Sequence, residues 1–247
     1  MPLKVGLKLY SGNPRKKIEE AIKIADFVEV LIEPNIDFTF LKKYKTVFEI
    51  HCAHRLQGFN PADRMKWHKS EKMLDDAVCA ANLLDAKKII VHLGMIESKN
   101  CSLDNALKFF EIYQKKHGTD KRMLLENLCR ISKETLIMNL PDESKKMMKR
   151  LGYGLCLDFS HAAVTAKLLS LDYKDVISGF AKLGPKYFHV CDGRTSSKID
   201  LHLGLEKGNF DLEFFKRVIK KSKSKQVLLE VPHNIKRNRK EIAFMKK

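Results

Sequence analysis

His51, His92, Glu126, Asp158, His161, His189, Asp200, His202 and Glu230 recur along this chain at one kind of place, the end of a short apolar run or just past it. The runs are VFEIH, KKIIVH, RMLLE, YGLCLD, KYFHV and QVLLE. Imidazole suits zinc, iron, nickel and copper, and carboxylate suits hard ions and can bridge two of them. A mixed set without thiolate is typical of catalytic metal sites rather than closed structural ones. Chance would scatter these residue types over helices and loops. A barrel of parallel strands would gather its strand ends at one mouth, so this placement predicts a ring of N and O donors there.

Two short spacings add to the pattern. Asp158 and His161 lie three apart in LDFSHA. Asp200 and His202 lie two apart in IDLHLG, the interval that sets two side chains on one side of an extended segment. Each residue alone has a plainer reading. His92 can be a hydrogen-bonded core or loop histidine, Glu126 can pair with a lysine across the mouth, and Asp158 can be the N-cap of the following helix. The recurrence at successive strand ends is what favours a shared site. His68 in a long helical stretch, His117 near a helix end and His233 beyond the last strand lack this context and read as surface residues. His54, three residues past His51, is ambiguous.

The elements that must carry these donors alternate along the chain. Strand-like runs cover Leu3–Tyr10, Phe27–Ile32, Thr46–His51, Lys88–His92, Arg122–Glu126, Tyr153–Asp158, Lys186–Val190 and Gln226–Val231. Helical periodicity lies between them: after Pro14, at Ile36–Tyr44, Asp63–Asp85, Leu103–Lys116, Lys133–Leu151 with Pro141 breaking or restarting it, Ala162–Leu169, Tyr173–Leu183, Leu212–Lys221 and Lys236–Lys247. The strands are apolar without clean alternation, as in a parallel sheet covered on both faces. Eight such units predict an α/β protein, a closed (β/α)8 TIM barrel forming one domain over residues 1–247. An open doubly wound sheet is the alternative, but it would draw its site from a few strands only.

No Gly/Ser-rich linker divides the chain. Its six cysteines are dispersed without a CxxC pair and read as reduced thiols. No signal peptide or run near the ~20 apolar residues of a membrane span is evident, so a cytoplasmic protein with no membrane association is expected. The net charge of +17 is a field that attracts polyanions such as nucleic acid; a solvated lysine-rich surface would carry the same charge without such a partner.

These motifs resemble the xylose isomerase-like TIM barrels over the whole chain and, within them, endonuclease IV (AP endonuclease family 2), which cuts DNA at abasic sites with a three-zinc cluster. IHCAH (His51), VHLG (His92), LLEN (Glu126), CLDFSHA (Asp158, His161), FHVCD (His189), DLHLG (Asp200, His202) and LLEVP (Glu230) match that family's ligand motifs in order. GLEKGNFD, residues 204–211, resembles the GEG segment that follows them. The resemblance implies a metal-dependent phosphodiesterase holding up to three Zn2+. One ion would lie with His51, His92 and Glu126, a second with Glu126, Asp158, His189 and Glu230, and a third with His161, Asp200 and His202. It implies Glu126 and Glu230 as catalytic carboxylates, with Asp192, Asn127 and Glu206 as groups that could orient the donors. The expected partner is damaged duplex DNA, contacted through His54, Arg55, Arg194 and Lys198 by a monomeric protein. The basic tail (Lys236, Arg237, Arg239, Lys240) would lie elsewhere.

Three departures fall on elements that shape DNA. His54 and Arg55 stand where endonuclease IV inserts side chains into the helix, IEPN replaces an arginine-bearing loop, and Leu128, Cys129 and Arg130 replace a glycine-rich stretch. The same superfamily holds sugar and sugar-phosphate isomerases and epimerases that use one Mn2+ or Mg2+. Their four-donor set is also filled here, by Glu126, Asp158, His189 and Glu230. In that reading Glu126 and Glu230 exchange protons at carbon on a small sugar. A non-catalytic nucleic-acid-binding barrel is a third reading, and it requires the metal site to be vestigial.

Overall fold

Eight of the apolar runs become parallel strands in the computed structural model, which describes residues 2–130 and 137–247. They are β1 (Lys4–Tyr10), β2 (Phe27–Leu31), β3 (Phe48–His51), β4 (Ile89–Val91), β5 (Met123–Glu126), β6 (Gly154–Asp158), β7 (Tyr187–Val190) and β8 (Gln226–Leu229). Each pairs in parallel with the next, and β8 returns to β1, so the sheet closes in sequence order. Outside it run α1 (Arg15–Ile22), α2 (Trp67–Leu83), α3 (Leu103–His117), α4 (Pro141–Leu151), α5 (Phe159–Leu169), α6 (Tyr173–Ala181), α7 (Leu212–Lys221) and α8 (Ile235–Lys246). No helix among the described residues is long and apolar enough to cross a membrane.

Closure explains why the strands lack simple alternation. One face of each strand packs against the helices in the main core, through residues such as Val5, Leu7, Val28, Val30, Leu155 and Leu157. The other face points into the barrel, where Phe27, Ile90, Leu124, Cys156, Tyr187 and Leu228 form a separate buried cluster. Both faces are therefore dry, as for any parallel sheet wrapped by helices. Gly6 admits the Phe27 ring: a Cβ at that position would lie 2.3 Å from Phe27 Cε2.

Some helices differ from expectation. Ile36–Tyr44 forms only a 3-10 turn, Thr39–Lys43. Asp37 Oδ1 accepts from both the backbone N–H and the hydroxyl of Thr39, a local turn that competes with α-helix. The Asp63–Asp85 stretch begins as a 3-10 turn, Arg64–Lys66, and becomes α2 at Trp67. Pro141 restarts the chain as the first residue of α4, where its missing N–H costs nothing. Of the earlier part of the expected Lys133–Leu151 helix, residues 133–136 lie outside the described residues and 137–140 are bends and coil rather than helix. α5 starts at Phe159, directly after β6 and ahead of the expected Ala162.

Candidate metal centre

The interior layer generates the site by period two. Two residues beyond Phe27, Ile90, Leu124, Cys156, Tyr187 and Leu228 stand Glu29, His92, Glu126, Asp158, His189 and Glu230. Side chains two apart on a strand share a face, so each apolar plug places a polar group directly above it at the C-terminal mouth. His51 joins them from the end of β3. His161 comes from the first turn of α5, and Asp200 and His202 from the long connection between β7 and α7.

That connection folds back on itself. Asp192 and Leu203 exchange two backbone hydrogen bonds at 3.0 and 2.9 Å. The Asp192 carboxylate accepts from the N–H groups of Gly193, Gly208 and Phe210, pinning the return. A Cβ on Gly208 would meet Gly193 O at 1.9 Å, so the crossing needs glycine. Ser160 Oγ donates to Asp200 Oδ1. His202 sits in the left-handed region at φ 45°, an uncommon backbone for a non-glycine residue.

All nine expected donors converge, and they divide into groups. Ligand atoms of His51, His92 and Glu126 lie within 4.8 Å of one another, as do those of His161, Asp200 and His202. His51 Nε2 and His92 Nε2 both approach Glu126 Oε2, at 3.1 and 2.9 Å. Asp200 Oδ2 lies 3.3 Å from His161 Nε2 and 2.7 Å from His202 Nε2. The four-donor set Glu126, Asp158, His189 and Glu230 does not close as a single group. Glu126 and Asp158 group with His161, whereas His189 and Glu230 group with Glu29.

Three of the five donor imidazoles share one orientation rule. His51 Nδ1 lies 2.6 Å from Cys52 O, His161 Nδ1 2.8 Å from Asn127 O, and His202 Nδ1 3.2 Å from Glu230 O. A carbonyl oxygen accepts only from N–H, so in each neutral ring Nε2 carries the lone pair and faces the shared donors. This favours His161 in the group with Asp200 and His202, because its Nδ1 is committed to Asn127. Asn127 also brackets Asp158, donating to its carbonyl at 2.9 Å and accepting its N–H at 2.7 Å. The expected orienting role of Asn127 thus has a geometric basis, while Asp192 acts on the loop and Glu206 is exposed.

Charge makes the cluster cation-seeking. Among the described residues five carboxylates converge, of Glu29, Glu126, Asp158, Asp200 and Glu230, and Lys8 enters among them. Burial, with Asp200 and Glu126 nearby, pushes the Asp158 carboxyl up to about 7 despite His161. Burial opposes charge on His161 and His189, yet the surrounding acidic groups raise both well above the usual imidazole value, and His202 rises to about 9. His92 is brought down to about 4 and His54 to about 2, burial being the main cause in each. Those two rings stay neutral. Buried Asp158 Oδ2 has no hydrogen-bond partner, an orphan that a coordinated ion would satisfy. Imidazole nitrogens that a bound cation would deprotonate, carboxylates and an orphaned oxygen together fit a divalent metal.

The cavity above this layer has a volume of about 510 Å³ and is lined in part by Lys8, Lys17, His54, Arg55, Leu56 and His233. His54 stacks on His92 at 5.6 Å and caps the following 3-10 turn. Arg55 reaches Glu97 at 3.5 Å. Arg194 and Lys198 lie on the β7–α7 connection and are not among the residues that line the cavity. His233 is not a simple surface residue: it lines the mouth and pairs with Glu20 at 3.1 Å. Lys8 and Glu29 were not anticipated as site residues. The available signal was a charged residue interrupting each of two apolar strands, KVGLKLY and FVEVL, and the register pairs them directly.

In overall shape the chain is similar to a D-tagatose 3-epimerase-like protein (TM-score 0.75, 16% identity, covering 98% of this chain and 96% of that one). It is similar to endonuclease IV from Thermus thermophilus (TM-score 0.74, 18% identity, 98% and 97%). It also resembles the IOLI protein with a binding zinc atom (TM-score 0.65, 14% identity, 97% and 96%). At these identities the likeness establishes the fold alone. No curated protein matches in sequence. Residues 8–247 match the family model described as xylose isomerase-like TIM barrel, and the chain belongs to that family.

Proposed function

We propose that this protein is a metal-dependent phosphodiesterase of endonuclease IV type that hydrolyses the DNA backbone at abasic or damaged sites, using up to three zinc ions. The observation that carries the reading is the group formed by His161, Asp200 and His202. It lies beside the strand-end donors, and chemistry on a single carbonyl does not need it. In this reading one ion would lie with His51, His92 and Glu126 and another with His161, Asp200 and His202, and a third would have to draw Glu126, Asp158, His189 and Glu230 together from two neighbouring groups. Bound there, zinc would supply Lewis-acid stabilisation of phosphate and leaving oxygens and an acidified water. Glu126 and Glu230 are both held well below the usual carboxylate range. Burial, the largest influence, opposes this, but His189, His92 and His51 together outweigh it at Glu126, as do Lys8, His189 and His202 at Glu230. They are therefore poor proton acceptors and good anionic donors.

The +17 charge supports a polyanionic partner. Lys17 and Arg55 at the rim would meet phosphates. The apolar Leu56, 76% exposed beside Arg55, would supply a wedge of the kind that unstacks a duplex. The test is incubation of zinc-loaded protein with a duplex carrying one abasic analogue. Single-strand incision at the lesion is expected, and no incision across metals and pH would reject the reading.

A second reading, a Mn2+- or Mg2+-dependent sugar or sugar-phosphate isomerase or epimerase, draws on the cavity volume, which lies in the small-ligand range. It requires one ion per chain. Elemental analysis of the native protein separates the two, because about three zinc ions and one manganese are mutually exclusive results.

A further inference from the structure

His189 differs from the other donor histidines in what backs it. His51, His161 and His202 each turn their outer nitrogen to a backbone carbonyl, but His189 turns Nε2 to a carboxylate, Glu29 Oε2, at 3.0 Å. Its Nδ1 faces inward, 3.1 Å from Glu230 Oε1 and 3.3 Å from Glu126 Oε1. Lys8 Nζ completes the arrangement, 2.8 Å from Glu29 Oε1 and 2.7 Å from Glu230 Oε1. Glu29 and His189 are both fully buried, so neither can exchange this partner for water.

We propose that Glu29 and Lys8 are positioning residues of the metal centre. Glu29 holds the His189 ring with its proton on Nε2 and its Nδ1 lone pair inward, and Lys8 ties Glu29 to Glu230 so that the β7 and β8 donors form one unit. Two features of the geometry and one general rule support this. The register places Lys8 opposite Glu29, so the contact is built into the β1–β2 pairing. Lys8 neutralises a carboxylate that would otherwise be a second acceptor for the ion, leaving Glu29 behind the ring. A carboxylate behind a ligating imidazole fixes its tautomer and raises its basicity, and losing one typically weakens metal binding by about 10- to 100-fold.

The inference rests on the metal-binding reading of the site, and its test reads metal rather than DNA. Zinc would be titrated against a chromophoric chelator for wild type, Glu29→Gln and Glu29→Ala, with folding followed by circular dichroism. Wild type should bind zinc, and Glu29→Ala should lose about 10- to 100-fold in affinity at one site per chain with the remaining sites unchanged. Glu29→Gln keeps an acceptor for Nε2–H and should fall between the two. Unchanged affinity in both folded variants against a zinc-binding wild type would overturn the inference alone, whereas a wild type that binds no zinc would overturn the metal centre as well. The tautomer needs no variant. In nitrogen-15 spectra of the zinc-loaded wild type, His189 should carry its proton on Nε2, and a proton on Nδ1 would refute the proposal.

Discussion

Asp158 Oδ1 accepts the backbone N–H of His161 at 2.7 Å, so one carboxylate caps the helix that delivers its neighbour to the site. The structural role and the proposed donor role, which look like alternatives in the sequence, are compatible in one group: Oδ1 caps, and buried Oδ2 is without a hydrogen bond and open to the proposed ion. Asp158→Asn keeps an acceptor for the cap but loses the charge. It should hold its melting temperature close to wild type while zinc affinity falls. Asp158→Ala should lose about 1 kcal/mol more, the usual cost of an N-cap. Equal stability of the two variants in urea would contradict the shared role.

Asp200→Ala or His202→Ala should remove one zinc per chain, counted by mass spectrometry, and leave the His51, His92 and Glu126 group filled. If the third group stabilises charge in the transition state, incision at an abasic analogue should fall by several kcal/mol, on the order of a thousandfold. Full activity with one ion fewer would show that this group is not part of the reaction.

Phosphate contact makes binding salt-dependent. Plots of log affinity for lesion duplex against log salt should be linear. Arg55→Ala and Lys17→Ala should each reduce the slope by about 1 if each side chain neutralises one phosphate. A slope near zero in the wild type would exclude a backbone interface at this mouth.

Leu56→Ala tests the wedge. At 76% exposure the side chain contributes little to folding, so stability should stay within about 0.5 kcal/mol of wild type. Affinity for lesion duplex should drop more than affinity for single strands, because only the duplex has a stack to open. Equal losses on both would remove Leu56 from that role.

Acid stability should depend on Glu29. Its carboxyl is brought down to about 2 from an ordinary 4.5; burial opposes the shift, and Lys8 and His189 outweigh it. The folded value lies below the unfolded one, so the unfolded chain binds the extra proton between them. The stabilisation is present above about 4.5 and is lost as pH falls towards 2, and a shift of this size corresponds to on the order of 3 kcal/mol. In chelator-treated protein, Glu29→Gln should flatten the stability curve across that window. Parallel acid limbs for wild type and variant, measured by urea unfolding, would refute it.

Much of this is written locally. Each donor except those of the β7–α7 connection and α5 stands at the end of an apolar run, and eight runs alternating with helical periodicity leave few topologies besides a closed barrel. The less legible parts are those where short-range and long-range forces compete. Asp37 turns Ile36–Tyr44 away from α-helix through its own side chain. Lys8 and Glu29 look like interruptions in strands that ought to be dry, because their compensation comes from each other and from β7 and β8. Only the fold-back at Asp192 decides that Asp200 and His202 return to His161 while Arg194 and Lys198 stay out of the cavity lining.

Residue type and period alone determined that this chain makes a parallel barrel with N and O donors at one rim, since alternation along a strand is a local property of the backbone. Tertiary structure decided how those donors divide: Glu126 between two histidines, Asp200 between two others, and His189 backed by Glu29 with Lys8 alongside. That division depends on barrel closure and strand register, which bring together side chains that no window of sequence contains.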